Sequence, residues 1–304
     1  MTSKLKKSLS ACLLVLTAMI WGFAFVAQSV GSDHVGPFTF LASRSFIAGI
    51  ALLPVILWRK KRFPVPQNSA PASRNHLWIG GIACGCALVT ASAFQQSGIA
   101  YTTAGKAGFI TALYIIIVPI LSIFLKKRAP LSVWIGVLLA AAGMYLLCVK
   151  EGFTLSRGDF LVLICAFFYA VHILVIDHFS PLTDGVQMSC IQFFTCGTIA
   201  AIMMLVFERP SSAAILDAWL PILYAGLFSS AVGYTLQIIA QKNVPPTLAS
   251  LLMSLESVFS VLAGWLLLKQ ALSPKELFGC VLVFLAVILA QLPDRKSAGN
   301  AEEK

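Results

Sequence analysis

LMSLESVFSVLAGWLLL, residues 252–268, decides how the chain is read. As a helix this stretch rises about 25 Å, close to the thickness of a bilayer's hydrocarbon core. Only Ser254, Glu256, Ser257 and Ser260 interrupt its apolar run. In lipid the carboxylate of Glu256 costs roughly 2.5–3.5 kcal/mol on insertion scales, so its presence needs a reason.

The rest of the chain fixes the solvent. Its 304 residues are 59% hydrophobic and 11% charged, with a mean hydropathy of +0.88, whereas soluble domains carry about 25% charged residues. Ten apolar runs follow one another, at about 10–30, 37–57, 77–97, 104–125, 131–149, 158–176, 186–207, 215–240, 247–268 and 275–292. The loops between them are too short to fold separately. The first run follows Lys4, Lys6 and Lys7 as a signal peptide would. It extends to Val30 and shows no small-x-small cleavage site, so it reads as a retained first span.

The net charge of +10 suggests nucleic acid until the positions are considered. Lys4, Lys6, Lys7, Arg59, Lys60, Lys61, Arg62, Arg74, Lys126, Lys127 and Arg128 all fall at one end of the predicted spans. The positive-inside rule places that end in the cytoplasm, and ten spans return Arg295 and Lys296 to it. The charge is a topology signal, with no nucleic-acid partner implied. The cysteines sit within or beside apolar runs, and Cys84-x-Cys86 lacks the spacing and polar company of a zinc site. No metal or cofactor is expected.

The two halves share a plan. A shift of 143 residues lays Leu125-Lys126 on Leu268-Lys269 and Gly136 on Gly279. With five spans per half, an odd number, the second half enters the membrane inverted. Lys150, Arg157, Arg209, Lys269 and Lys275 then lie on the outer side. The predicted fold is an all-α integral membrane protein of ten transmembrane helices in two inverted five-helix repeats. Gly81/Gly85, Ala104/Gly108 and Gly136/Ala140 offer small-xxx-small contacts that pack such a bundle.

Several stretches resemble the EamA-type branch of the drug/metabolite transporter superfamily. They are Trp21-Gly22 in IWGFAFVAQS, Arg44 in LASRSFIAG, AYTTAGKAGFITALYIIIVPIL (100–121), and FFYAVHILVIDHFS (167–180), where Tyr169-Ala170 stands where Trp21-Gly22 stands in the first half. The resemblance covers about 8–292. It implies two repeats, at 8–150 and 157–293, and a central cavity lined mainly by spans 1, 3, 4, 6, 8 and 9. It also implies a multi-pass protein of a bacterial-type inner (plasma) membrane with both termini cytoplasmic. Such proteins carry small metabolites, often amino acids, or drugs out of the cell. One departure is Glu256-Ser257, where the family commonly has Glu-Pro. Without that proline a broken ninth helix is not expected, while Pro119 is positioned to kink the fourth.

The polar residues inside the runs are the candidate substrate site. Glu256 shares the polar side of span 9 with serines and faces protein or water. It is either a structural carboxylate or a cavity residue that binds a proton or a cationic group. Lys106, between Gly105 and Gly108, either snorkels to the interface or stands at the cavity mouth, attracting a carboxylate or pairing with an acid. Arg44 reads as a structural tie to carbonyls or headgroups. His172 is either packed or suited to proton coupling, since imidazole titrates near neutral pH. Trp21, Phe25, Tyr114, Tyr169 and Tyr234 are candidate aromatic walls. Gln28, Gln95, Gln96 and Gln237 are candidate polar contacts, because amides are costly to bury without purpose.

The function these residues point to is a secondary transporter, an exporter, of small organic metabolites. Amino acids come first as substrates, with protons as the candidate coupling ion and the lipid bilayer as surroundings. A multidrug or cation exporter is the alternative. An intramembrane enzyme would need an H-E-x-x-H, a P-loop or paired aspartates, and a channel would need charge rings or a carbonyl filter; neither pattern is present.

Overall fold

The computed structural model describes residues 3–62, 74–127, 129–148, 156–269 and 273–291, and no strand occurs among them. Eight helical segments are long and apolar enough to cross a bilayer: Leu5–Ser32, Pro37–Arg62, Arg74–Ile99, Ala104–Phe124, Arg157–Leu182, Gly185–Phe207, Trp219–Gln241 and Pro246–Leu267. Of the ten expected runs, the fifth is the shorter apolar helix Leu131–Leu146, within α6 (Leu131–Cys148). The tenth is α14 (Pro274–Gln291), packed along it. Arg128, Lys150, Arg295 and Lys296, which carried part of the topology expectation, lie outside the described residues. Leu138, Leu205, Leu266 and Ile288 are among many exposed large apolar side chains, as expected of a surface that meets lipid.

The ends of the long helices are stopped and pinned by charge. α1 (Ser3–Ser32) leads into α2 (Pro37–Arg62) and α3 (Arg74–Ile99). α7 (Arg157–Phe179) opens on a capping box between Ser156 and Asp159, and α8 (Gly185–Phe207) is capped by Asp184. At the basic end of the bundle Arg59 bonds that same Asp184 at 3.1 Å, and Lys127 pairs with Asp177. At the opposite end Glu208, just past α8, accepts from the Phe38 and Thr39 amides at 2.8 Å each. It thereby supplies the orphan N–H groups of α2 with an anion from another helix. The second and seventh spans are thus tied at both ends.

Helix contacts recur in pairs across the chain. A Cβ on Gly85 of α3 would meet Thr195 and the Gln192 carbonyl of α8. A Cβ on Gly226, in a π-helical stretch at Ala225–Tyr234, would meet Ile47 and the Arg44 carbonyl of α2. One offset takes 47 to 195 and 44 to 192; another takes 85 to 226. The offset of the first pair also takes Trp21 to Tyr169, and that of the second takes Ser92 to Gly233. Trp21 stands against Gly233, and Tyr169 bonds Ser92 at 3.0 Å. Likewise Gly136 backs onto the Ala286 carbonyl and Gly143 onto that of Gly279, the same contact seen from either half. The expected small-residue pairs do pack: Gly81 meets Ile191, and Gly108 meets Ser260.

The fourth and ninth spans are both broken near their middles. The fourth divides at Leu113 into α4 (Ala104–Ala112) and α5 (Tyr114–Phe124), before Pro119 rather than at it. The ninth divides at Ser254–Leu255 into α12 (Pro246–Met253) and α13 (Glu256–Leu268). This overturns the expectation that Ser257 in place of proline keeps the ninth helix whole. The cause lies in the serines. Ser250, Ser254, Ser257 and Ser260 each donate their hydroxyl to the carbonyl three residues back, at 2.7–2.9 Å. Such bonds compete with the backbone ladder, and a Ser257 N–H to Ser254 carbonyl turn replaces it at the break.

α1 and α13 approach closely: a Cβ on Gly22 would stand 2.3 Å from the Phe259 Cβ and 2.8 Å from the Ser260 nitrogen. Gly22→Val is expected to cost about 1–3 kcal/mol or more through overpacking. The readout is a lower yield of monodisperse protein and a depressed melting temperature. Gly105→Ala, whose new Cβ would lie 3.6 Å from Val261, should leave both unchanged.

Candidate functional site

The breaks, the π-helical stretch and the aromatic residues converge on one central cavity. It is lined by Trp21, Ala24, Phe25, Gln28, Arg44, Gln95, Thr111, Tyr114, Tyr169, Ser229, Tyr234 and Glu256. Spans 1, 2, 3, 4, 6, 8 and 9 all contribute, so the second span joins the set implied by the resemblance. The remainder of the span carrying Trp219–Gln241 is completed by α9 (Ser212–Asp217), α10 (Trp219–Tyr224) and α11 (Thr235–Gln241) around the π-helical stretch. That stretch opens the helical ladder, and the Trp21 indole N–H donates to the Ser229 carbonyl within it at 3.1 Å.

A hydroxyl and amide network holds the walls. The Tyr169 hydroxyl donates to Gln95 Oε1 at 3.1 Å, and the Tyr234 hydroxyl lies 3.4 Å from that of Tyr169. Gln95 Nε2 donates to Thr111 at 3.1 Å. The rings of Trp21 and Tyr234 meet at 4.7 Å and 50°. Each contact links different spans, so the aromatic groups are fixed by the same bonds that satisfy their polar ends.

Two formally charged side chains line this cavity, both 3% exposed. Arg44 donates to Gln28 Oε1 at 3.3 Å and sits over the Phe40 ring at 6.0 Å. Glu256 begins α13, and its Oε1 has no hydrogen-bond partner among the described residues. The hydroxyl of Tyr114 lies beside Glu256 and interacts with its carboxyl. Among the described residues neither Arg44 nor Glu256 forms an ion pair.

Of the sequence-predicted site residues, Trp21, Phe25, Gln28, Gln95, Tyr114, Tyr169, Tyr234 and Glu256 come together at the cavity. Gln96, Lys106, His172 and Gln237 do not line it. Gln96 donates to the Gln28 carbonyl at 3.1 Å, and His172 Nε2 is 2.9 Å from Gln192 Oε1. Gln237 donates to Gln241 at 2.9 Å. Lys106 holds the fully buried carboxylate of Asp159 at 2.5 Å, latching the start of α4 to the start of α7. Its ammonium is already matched to an acid of the protein. Sequence reading passed over Thr111 and Ser229, which carry no distinctive pattern. It placed Arg44 at a structural depth, although a buried guanidinium among apolar residues is itself a signal.

An all-helical, membrane-embedded bundle closing around one aromatic, sparsely polar chamber defines a multi-pass carrier of small molecules rather than an enzyme. The chain belongs to the EamA-like transporter family, whose model matches it twice, over residues 8–149 and 156–292. An uncharacterized transporter of Archaeoglobus fulgidus is 32% identical over 284 residues, covering 92% of this chain and 84% of the relative. The uncharacterized inner membrane transporter YedA of Escherichia coli K12 is 26% identical, covering 90% and 88%. A solved crystal structure at 20% identity shares the fold with a TM-score of 0.73 over 93% of this chain and 96% of its own.

Lys106→Met is expected to cost about 1–3 kcal/mol of stability by stripping a charged donor from a buried carboxylate. The melting temperature of purified protein should fall, and Lys106→Met/Asp159→Asn should recover part of the loss. The affinity for solute should not follow it.

Proposed function

We propose that this protein is a secondary transporter that exports small zwitterionic metabolites, amino acids foremost, across a bacterial-type inner membrane. The chamber lies between two inverted five-span repeats, 8–150 and 157–293. The basic end, with Arg59, Lys60, Lys61, Arg62, Lys126 and Lys127, faces the cytoplasm together with both termini. The outward direction rests on the family resemblance.

One observation carries the substrate reading: Arg44 and Glu256 line the same buried cavity, and neither is neutralised by an ion pair among the described residues. Leaving both uncompensated in a low dielectric is costly. A solute bearing a carboxylate and an ammonium compensates both at once. The carboxylate partner is therefore Arg44, in place of Lys106, which Asp159 occupies. Trp21, Phe25, Tyr114, Tyr169 and Tyr234 supply an aromatic wall for an apolar side chain, and Gln28 and Gln95 supply further polar contacts. Glu256 is also where a coupling proton would exchange with the solute's ammonium. A pure cation exporter would gain nothing from a guanidinium in its chamber.

The test is counterflow of labelled L-phenylalanine in proteoliposomes, competed by 3-phenylpropionate, which lacks the amine, or phenethylamine, which lacks the carboxylate. Each lost charge-assisted bond should weaken the matching competitor roughly 10- to 100-fold. Arg44→Gln should blunt competition by 3-phenylpropionate and spare phenethylamine; Glu256→Gln should do the reverse. Transport of phenethylamine but not phenylalanine, improved by Arg44→Gln, would replace this reading with cation export.

A further inference from the structure

The pairing of contacts across the two halves also relates polar clusters that the central cavity does not explain. The offset that takes Arg44 to Gln192 and the offset that takes Gly85 to Gly226 together map Arg44 and Gln96 onto Gln192 and Gln237. The first set lies in the half of the bundle away from the basic end, and Arg44 opens on the cavity. Its image lies in the basic half, between α7, α8 and α11, shut off from the cavity. There His172 Nε2 meets Gln192 Oε1 at 2.9 Å. The Tyr234 ring stands between the two regions: it lines the cavity and meets His172 edge-on at 5.7 Å.

This inner cluster is incompletely bonded. Among the described residues Gln192 Nε2 is a buried donor without a partner, and Gln237 Oε1 a buried acceptor without one; the two residues are 0% and 1% exposed. Turning the Gln192 amide over would leave its oxygen unpaired instead. Buried polar atoms left this way are costly unless something else visits them. In carriers built of inverted repeats, two halves related by a pseudo-two-fold axis rock against each other as access alternates. A conformation in which Arg44 lines the chamber then has a counterpart in which its image, Gln192, lines it.

We propose that Gln192 and Gln237, braced by His172, form a second subsite for the charged head of the solute, occupied when the chamber opens to the cytoplasm. This rests on the transport reading above. The Gln192 amide N–H₂ would donate to the solute's carboxylate, as Arg44 does in the present conformation, and Gln237 Oε1 would accept from its ammonium. Glutamine in place of arginine makes this subsite neutral, so it holds the solute less firmly than the Arg44 side.

The experiment uses the full chain reconstituted in a single known orientation, with labelled L-phenylalanine presented to one face at a time. Gln192→Met keeps length and volume and removes the amide. The half-saturating concentration at the cytoplasmic face should rise roughly tenfold or more, as expected for one hydrogen bond to a charged group, with the opposite face unchanged. Should Gln192→Met fail to yield monodisperse protein, Gln237→Met is read the same way. Equal shifts at both faces, or none at either, overturn the subsite while leaving the transport reading intact. Wild-type protein that exchanges no phenylalanine from either face overturns both.

Discussion

The close approach of helix backbones at glycine is the constraint on which the rest of this structure depends. Lipid tails are as apolar as leucine, so no hydrophobic force drives one spanning helix onto another, and association rests on packing and hydrogen bonds. Gly22 lets α1 sit directly on α13, while Gly136 and Gly143 let α6 lie against α14. Gly85 and Gly226 set α3 on α8 and the π-helical stretch on α2. These contacts fix the register between spans to a single residue. That register decides which side chains meet at the centre.

Given that register, the cost of buried polarity decides the rest. Most polar groups in the interior are satisfied by neighbours: the serines of α12 and α13 by their own helix, Asp159 by Lys106, Thr102 and Ser156, and Tyr169 by Ser92 and Gln95. The serine bonds break the ninth span and so start a new helix at Glu256. The carboxyl thus sits where a helix begins, at the positive end of its dipole. Among the described residues the exceptions lie on Gln96, Tyr114, Ser122, Ser180, Gln192, Gln237 and Glu256. A transport protein must leave polar groups for its solute, and an unpartnered buried atom is the trace of that need.

Much of this was legible in the sequence. Hydropathy located the spans because a run of about twenty apolar residues has few other uses, and the 143-residue shift anticipated the image relation of Gly136 and Gly279. Eight of the proposed site residues line the cavity, because burying amides and tyrosines in lipid calls for an interior. The break in the ninth span was not legible, since serine back-bonding does the work expected of proline and serines mid-helix usually read as packing. The partner of Lys106 lay 53 residues away, although Ser156-x-x-Asp159 carries the sign of a helix start. Arg44 was assigned a tethering role because depth along a span says nothing about which way a side chain faces. The π-helical stretch at Ala225–Tyr234 leaves no local signature.

The central claim is that one zwitterion bridges Arg44 and Glu256 in the chamber. A structure determined with bound L-phenylalanine tests it most directly. The account predicts the carboxylate within hydrogen-bond distance of the Arg44 guanidinium, the ammonium at Glu256 Oε1, and the ring among Trp21, Tyr114 and Tyr234. Solute found elsewhere, or bound in the chamber with its carboxylate turned away from Arg44, would contradict it.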